Sequence, residues 1–370
     1  MKQKYRYGTV VLVILVYAVA MVTTICTSNW HVFPVPTVQT MINGVWASQF
    51  EQFLAENVGF HDDLFRLKTK TDMLVGEKMI RNVYVTEDRL LEKIEADQND
   101  GYIQASAESL NAFAEDCGVP VYLLLVPSAS EIYENRLPAN VVKSDQEAAI
   151  RETYAQVIGK VRTLDAYHVL SSLSDEYIYY RTDSRWTSYG AYCVYRSVIQ
   201  KMGFSAVPYH RYVISHMSTE FRGDLYEKTL YDSVKADVLD DYHYEGGSSI
   251  TGVTAMYADG RVESRGTQLN DPDALATDDM YQYYLGMPCD KLVIQTNLDN
   301  GKKLLIYKDG FGDCFIPFLL PHYSEICVVD LERMGMAYET AANPSDYTHV
   351  LFLSSMENWK EMWYTDTAGS

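Results

Sequence analysis

Two short stretches hold the residue types that could do chemistry. The first is Lys308–Asp309–Gly310, a sharp turn between the apolar runs Leu304–Tyr307 and Ile326–Val329. In a parallel α/β sheet, the turn after a buried strand is where a nucleophile is displayed. Here the tip of that turn is a glycine, which has no side chain. The second stretch is Arg181–Trp186, RTDSRW, which places Asp183, Ser184 and Arg185 in succession. Asp183 and Arg185 are able to pair and hold the loop's shape. Cys314 and Ser184 are the substitute nucleophiles nearest these loops. A buried free cysteine is the plainer account of Cys314, and no histidine adjoins Ser184 in sequence. His168, His216 and His243 are further bases that folding could bring to the cleft. Asp309–Gly310 also fits a plain hairpin turn, but an apolar helical stretch follows it rather than a facing strand.

Residues so far apart in sequence need a scaffold to meet. Val121–Val126, VYLLLV, is wholly apolar and closed by Pro127, which suits a parallel strand buried on both faces. Glu108–Cys117 before it reads as a helix ending at Gly118. Asn82–Leu91 reads as a hairpin. Ser144–Val161 and Ser188–Met202 read as helices, the second ending at Gly203. Thr163–Asp165 and Glu176–Tyr180 are candidate strands around a short connecting helix. Tyr209 to about Asn300 changes character, with many tyrosines and a hairpin signal at Ala258–Asp259–Gly260, and reads as an insertion containing β structure. The strand pattern resumes at Leu304 and Ile326 and ends with Val350–Leu353. The alternation predicts an α/β fold, a parallel sheet with helices on both faces. In such sheets ligands lie beyond the carboxyl ends of the strands, where Arg181–Trp186 and Lys308–Asp313 both fall.

The chain has 370 residues, is 47% hydrophobic and has a net charge of −19. A large core is affordable, and a nucleic-acid partner, which needs a basic face, is excluded. Lys2, Lys4 and Arg6 precede the uncharged run Gly8–Cys26, whose nineteen residues would span about 28 Å as a helix, close to a bilayer core. The basic flank predicts a single-pass transmembrane helix with the bulk of the chain outside the cytoplasm. A cleaved signal peptide is the alternative, and no small-x-small cleavage site follows the run. Residues 1–29 are thus read as basic tip and anchor, 30–58 as juxtamembrane stalk and helix, and 59–370 as the ectodomain. The six cysteines lack any zinc spacing, and one disulfide is conceivable outside the cell. Asp237, Asp240 and Asp241 could bind calcium, although a lone acidic run is more often a solvated face. No metal and no cofactor is expected. The 30 tyrosines suit either packing or a glycan groove.

Longer words carry a resemblance. YYRTDSRWTSYGAYCVY (Tyr179–Tyr195) resembles the motif that names the DHHW proteins, Y-x-TDHHWT-x-x-GAY. LLIYKDGFGDCFIPFLLPHYSEICVVDL (Leu304–Leu331) is similar to their second signature, LLI-x-KDSYAN-x-x-xPFL-x-x-HY. Gly59–Val85 and Val119–Tyr133 are similar to segments upstream. The resemblance implies a flavodoxin-like, SGNH-like fold and acyl transfer to or from carbohydrate hydroxyls, as in proteins that O-acetylate alginate. The implied triad is the Asp and second His of DHHW with the Ser of KDS. Here those positions are Asp183, Arg185 and Gly310. Gly310 offers no nucleophilic oxygen, and Arg185 stays protonated and cannot act as base. The implied oxyanion stretch falls on Gly286–Met287–Pro288, where Met287 brings no polar side chain and Pro288 no N–H. A glycine also tolerates the dihedrals of a nucleophile elbow, so the turn should survive the loss. Trp186, Gly190, Tyr192, Pro317, Phe318, His322 and Tyr323 match the pattern and read as structural, while Trp186, Asp309 and Tyr180 are the expected ligand contacts. The expectation is a membrane-anchored, catalytically inactive relative that binds cell-surface polysaccharide or a membrane acyltransferase during envelope polysaccharide O-acetylation. An active O-acyltransferase or esterase using substitute residues, and a structural envelope protein, are the alternatives.

Overall fold

The computed structural model describes residues 61–94, 101–139, 141, 143–157, 159–246 and 248–367, with positions 22, 35, 46 and 49 standing alone before them. Apart from Val22 and Val35, the expected span Gly8–Cys26 and the stalk Trp30–Val45 lie outside the described residues. Among those described, no helix is long and apolar enough to cross a membrane. The chain divides into two compact units, residues 1–77 with 229–232, and the remainder. In the smaller unit, helix α1 (His61–Leu74) carries Asp62 and Asp63 in its first turn, where the helix dipole favours acids. Its Arg66 bonds Asp232 at 2.5 Å, and its Thr69 hydroxyl donates to the Thr229 carbonyl at 3.0 Å.

The larger unit opens with a three-stranded meander of β1 (Met79–Ile80), β2 (Val83–Val85) and β3 (Leu90–Glu92), which contains the expected hairpin. Helix α2 (Gly101–Cys117) leads to β4 (Val121–Val126) through Gly118, whose φ of +71° suits the residue that ends a helix. All six residues of β4 are buried. Then come α3 (Ala129–Ile132), α4 (Gln146–Gln156), β5 (Val161–Asp165), α5 (Tyr167–Ser171) and α6 (Ser188–Lys201). β6 (Tyr212–Phe221), α7 (Asp224–Thr229) and β7 (Asp237–Tyr244) follow, then β8 (Ile250–Met256), β9 (Val262–Ser264) and β10 (Lys291–Thr296). The chain closes with β11 (Lys303–Lys308), β12 (Glu325–Asp330), α8 (Leu331–Met334), β13 (His349–Ser355) and α9 (Met356–Thr367).

The main sheet has eight strands in the order β5-β4-β13-β11-β12-β10-β8-β9. The first five pair in parallel, and β10, β8 and β9 add on antiparallel. Successive strand residues face two cores. Leu124, Ile306 and Leu351 pack on the side of α6 with Val194 and Val198. Leu123, Leu305 and Phe352 pack on the other side with Leu110 of α2 and Trp359 of α9. This two-sided burial is why these strands read as unbroken apolar runs.

Several expectations change. Glu176–Tyr180 forms no strand, and its only pairing is an isolated bridge between Tyr179 and Trp186. The stretch after Gly310 is two 3₁₀ turns, Gly310–Gly312 and Ile316–Leu319, instead of an α-helix, because two glycines and Pro317 interrupt it. The helix expected over Ser144–Val161 stops at Gln156, since Val161 already belongs to β5. The segment from Tyr209 to Asn300 contains the expected β structure, including the hairpin of β8 and β9 around Ala258–Gly260; β8–β10 extend the main sheet, and β6 and β7 form their own ribbon. The five described cysteines are all free thiols.

Candidate functional site

The carboxyl ends of four parallel strands meet at one edge of the sheet. Ser128 follows β4, Asp309 and Gly310 follow β11, Glu332 follows β12, and Ser355 ends β13; all of them line a cleft of about 500 Å³. A second cavity of about 190 Å³ adjoins it, and Arg185, Asp279, Gly310 and Glu332 line both. Asp183, Arg185 and Gly310 are therefore brought together, as are Gly286, Met287 and Pro288, which line the smaller cavity.

The Arg181–Trp186 loop is held from three sides. Asp237 accepts the N–H groups of Arg181 and Thr182 at 2.8 Å each, and the hydroxyls of Thr182 and Tyr177 at 2.5 Å each. That spends a carboxylate that had been a calcium candidate, and the described residues contain no cluster able to hold a metal. The Trp186 indole N–H donates to the Phe311 carbonyl at 2.8 Å, and its ring stacks on Phe315. This bond ties the loop to the turn after β11. Behind it, α6 is capped by Thr187, whose hydroxyl accepts the Gly190 N–H.

Asp183 is fully buried, and Arg185 covers it. Arg185 Nε lies 2.7 Å from Oδ1 and Nη2 lies 2.6 Å from Oδ2, while the Arg185 backbone N–H donates to Oδ1 at 2.9 Å. Burial pushes the Asp183 carboxyl up, but this guanidinium outweighs it and holds the group below the usual carboxylate range. Burial likewise works against the Arg185 charge, and Asp183 overcomes it, so the guanidinium is more firmly protonated than usual. The guanidinium carbon also lies 3.5 Å from the centre of the Tyr281 ring.

Gly310 faces this arginine. Its φ lies outside the left-handed region, so the backbone does not require glycine; the strained elbow geometry expected there is absent. A Cβ at this position would lie 3.4 Å from Arg185 Cδ and 3.5 Å from Arg185 Nη1, in ordinary contact. Below the turn, Lys308 is buried between Asp313 and Asp330, with Nζ 2.7 Å from each carboxylate. Those acids keep it charged despite burial.

The expected ligand contacts are placed differently. Trp186 and Tyr180 are closed off from solvent, Tyr180 with its hydroxyl 3.2 Å from that of Tyr284. They support the cleft from behind. Asp309 lines the larger cleft but spends its carboxylate on the Ser355 N–H (2.6 Å), the Phe311 N–H (3.0 Å) and the Ser354 hydroxyl (3.2 Å). Cys314 is buried, and burial pushes its thiol up to about 12, far from a thiolate at neutral pH. Ser184 lines the cleft, with its N–H donated to Asp224. His168 pairs with Asp165 and His216 with Asp240; neither they nor His243 lines either cavity.

Sequence reasoning missed Asp224 and Glu332. Burial and the adjacent Asp183 push Asp224 up to about 6. Desolvation and the Asp309 and Asp330 carboxylates push Glu332 up to about 7. Gly223 was also missed, and a Cβ there would lie 2.0 Å from Asp183 Oδ2. No local motif marks these three; only the fold brings them to the loop.

The family model described as DHHW protein matches residues 66–329. The chain is similar in structure to a DHHW family protein from Eubacterium siraeum, at 22% identity, covering 77% of this chain and 95% of that one, with a TM-score of 0.60. It is also similar to Bacillus cereus PatB1 bearing a sulfonyl adduct, at 19% identity, covering 76% of this chain and 97% of that one, with a TM-score of 0.62. A second PatB1 structure gives 20% identity, 76% and 98% coverage, and a TM-score of 0.61. These likenesses establish the fold. No curated protein matches the chain by sequence.

Proposed function

Because this chain belongs to the DHHW family, we propose that it is an SGNH-like protein that has given up the family's acyl-transfer chemistry and keeps the cleft as a binding site. It is membrane-anchored outside the cytoplasm and takes part in envelope polysaccharide O-acetylation, binding the glycan or a membrane acyltransferase. One observation carries the reading: Arg185 closes over Asp183 with two side-chain hydrogen bonds, and Gly310 stands where a nucleophile would face it. An acyl-transfer site needs a hydroxyl and a base able to take its proton. This pair supplies neither, and the Cys314 thiol is protonated at neutral pH.

The test is restoration. A Cβ fits at Gly310, so Gly310→Ser with Arg185→His rebuilds the hydroxyl, the imidazole and its buried carboxylate partner. The native chain should neither turn over an acetyl ester nor react with a sulfonyl fluoride at the cleft. The double variant should gain both activities, and each single variant neither. Ester turnover by the native chain that disappears on changing one cleft residue would overturn the reading in favour of an active enzyme.

A further inference from the structure

We infer that the cleft selects its glycan by an exocyclic hydroxymethyl group, laid over Gly310 with its oxygen between Arg185 and Glu332. The inference rests on the glycan-binding reading above and names the part of the sugar that the site recognises. A serine side chain is itself a hydroxymethyl group. At position 310 the chain brings none, so a ligand can approach the backbone there more closely than a side chain would permit.

Three observations define the place. Gly310 is half-buried and lines both the cleft of about 500 Å³ and the adjoining cavity of about 190 Å³, as Arg185 and Glu332 also do. The point where a Cβ would project from Gly310 lies 3.5 Å from Arg185 Nη1 and 3.9 Å from Glu332 Oε2. Arg185 spends Nε and Nη2 on Asp183; among the described residues no hydrogen bond occupies Nη1, and no ion pair joins Arg185 to Glu332. A donor and a carboxyl group thus flank one small space. A hydroxyl oxygen beside that point can accept from Nη1 and donate to Oε2.

The surroundings favour a neutral group over an anion. Each cation lining the smaller cavity is already paired: Arg185 with Asp183, Lys308 with Asp313 and Asp330, and Arg333 with Asp290. Asp279 and Glu332 line it too, with no cationic partner of their own among the described residues. A carboxylate on the arm meets repulsion there, and a hydroxyl does not. The hydroxymethyl group stands one carbon off the sugar ring. Its oxygen therefore reaches over the turn while the ring stays in the larger cleft, whose volume suits a small ligand.

The test is calorimetric titration of the full chain in detergent with two matched pairs of β-linked tetramers. Glucose is paired with xylose, which lacks only the hydroxymethyl arm, and glucosamine with the deoxy form that lacks the arm's hydroxyl. Within each pair the sugar bearing the hydroxyl is expected to bind about tenfold more tightly or better, the scale of one well-made hydrogen-bonded contact. Gly310→Ala should abolish that preference without lowering the melting temperature, since a Cβ there makes only ordinary contacts. Glu332→Ala should abolish it too, and Glu332→Gln should keep most of it, because the amide still accepts the hydroxyl proton. Equal binding within both pairs, or a preference that survives Gly310→Ala, would overturn the inference and leave the cleft a glycan site. So would tighter binding of a glucuronate tetramer, which would assign the place to an anion. Binding of no tetramer at all would overturn the glycan reading, and the inference with it.

Discussion

Arg185 falls where the sequence resemblance implies a histidine, and its hydrogen bonds show what an arginine does there. The guanidinium satisfies both oxygens of a fully buried carboxylate, which the low dielectric would otherwise penalise severely. Arg185→Met should therefore destabilise the protein by about 3–5 kcal/mol in urea unfolding, because it leaves Asp183 buried without its partner. The pH dependence separates two neighbouring acids. The Asp183 carboxyl is held low, so its contribution is present above the unfolded value and lost as pH falls through the folded one. Asp224 is pushed up from 3.8 to about 6, so the folded protein holds a proton there that the unfolded chain has released, and stability declines as pH rises across that window. Thermal melts of Asp224→Asn should lose that decline, and Arg185→Met should steepen it, since Asp224 then faces Asp183 without the intervening cation. The pairing of Asp183 with Arg185 was legible because the two residues are two apart in one loop. Asp224 and Glu332 were not, because the burial that perturbs both, and the nearness of Asp183 to the first and Asp309 to the second, come only with the fold.

At the scale of elements, the site depends on three close approaches more than on any helix. The Trp186 N–H on the Phe311 carbonyl fixes one loop to the other. Gly190 lets α6 start against Ile178, where a Cβ would lie 2.3 Å from the Ile178 carbonyl oxygen. Gly223 lets the backbone after β6 close over Asp183. Gly223→Ala should cost about 3 kcal/mol, since the methyl displaces a buried carboxylate from its arginine. Gly203→Ala, in an open position, should act only through its backbone strain. Comparing the two by calorimetry tests whether the loss at Gly223 comes from contact with Asp183. The parallel strands were readable because burial on both faces leaves unbroken apolar runs, as in β4 and β11. The antiparallel extension was not. β8 alternates in burial like any half-exposed strand, and nothing in that alternation names the sheet it joins. Glu176–Tyr180 misled for the same reason: its apolar residues are buried in the core without a neighbouring strand to pair with.

For the whole molecule, the net charge is −19, and part of that acidic excess lies where a ligand would enter. The larger cleft is lined by nine carboxylate side chains and three cationic ones, Arg185, Arg222 and Lys228. Arg185 is already spent on Asp183, and Lys228 reaches Glu92 at 2.7 Å and Asp224 at 3.7 Å. Little positive potential remains to receive an anion, and a cleft lined by one sign focuses its field on whatever enters. A polyuronate such as alginate is therefore a poor ligand for this cleft. A neutral glycan meets no such penalty, and one bearing free amines gains from the field. Titration by calorimetry should rank an amine-bearing oligosaccharide above its N-acetylated form, and both above an oligouronate by about tenfold or more. Raising the salt should narrow the gap between the first two, since the Debye length is about 8 Å at physiological ionic strength and about 3 Å at 1 M. Tight uronate binding that survives Arg185→Met would show that the ligand docks elsewhere on the molecule, and would separate the family's cleft from the glycan-binding role given to it here.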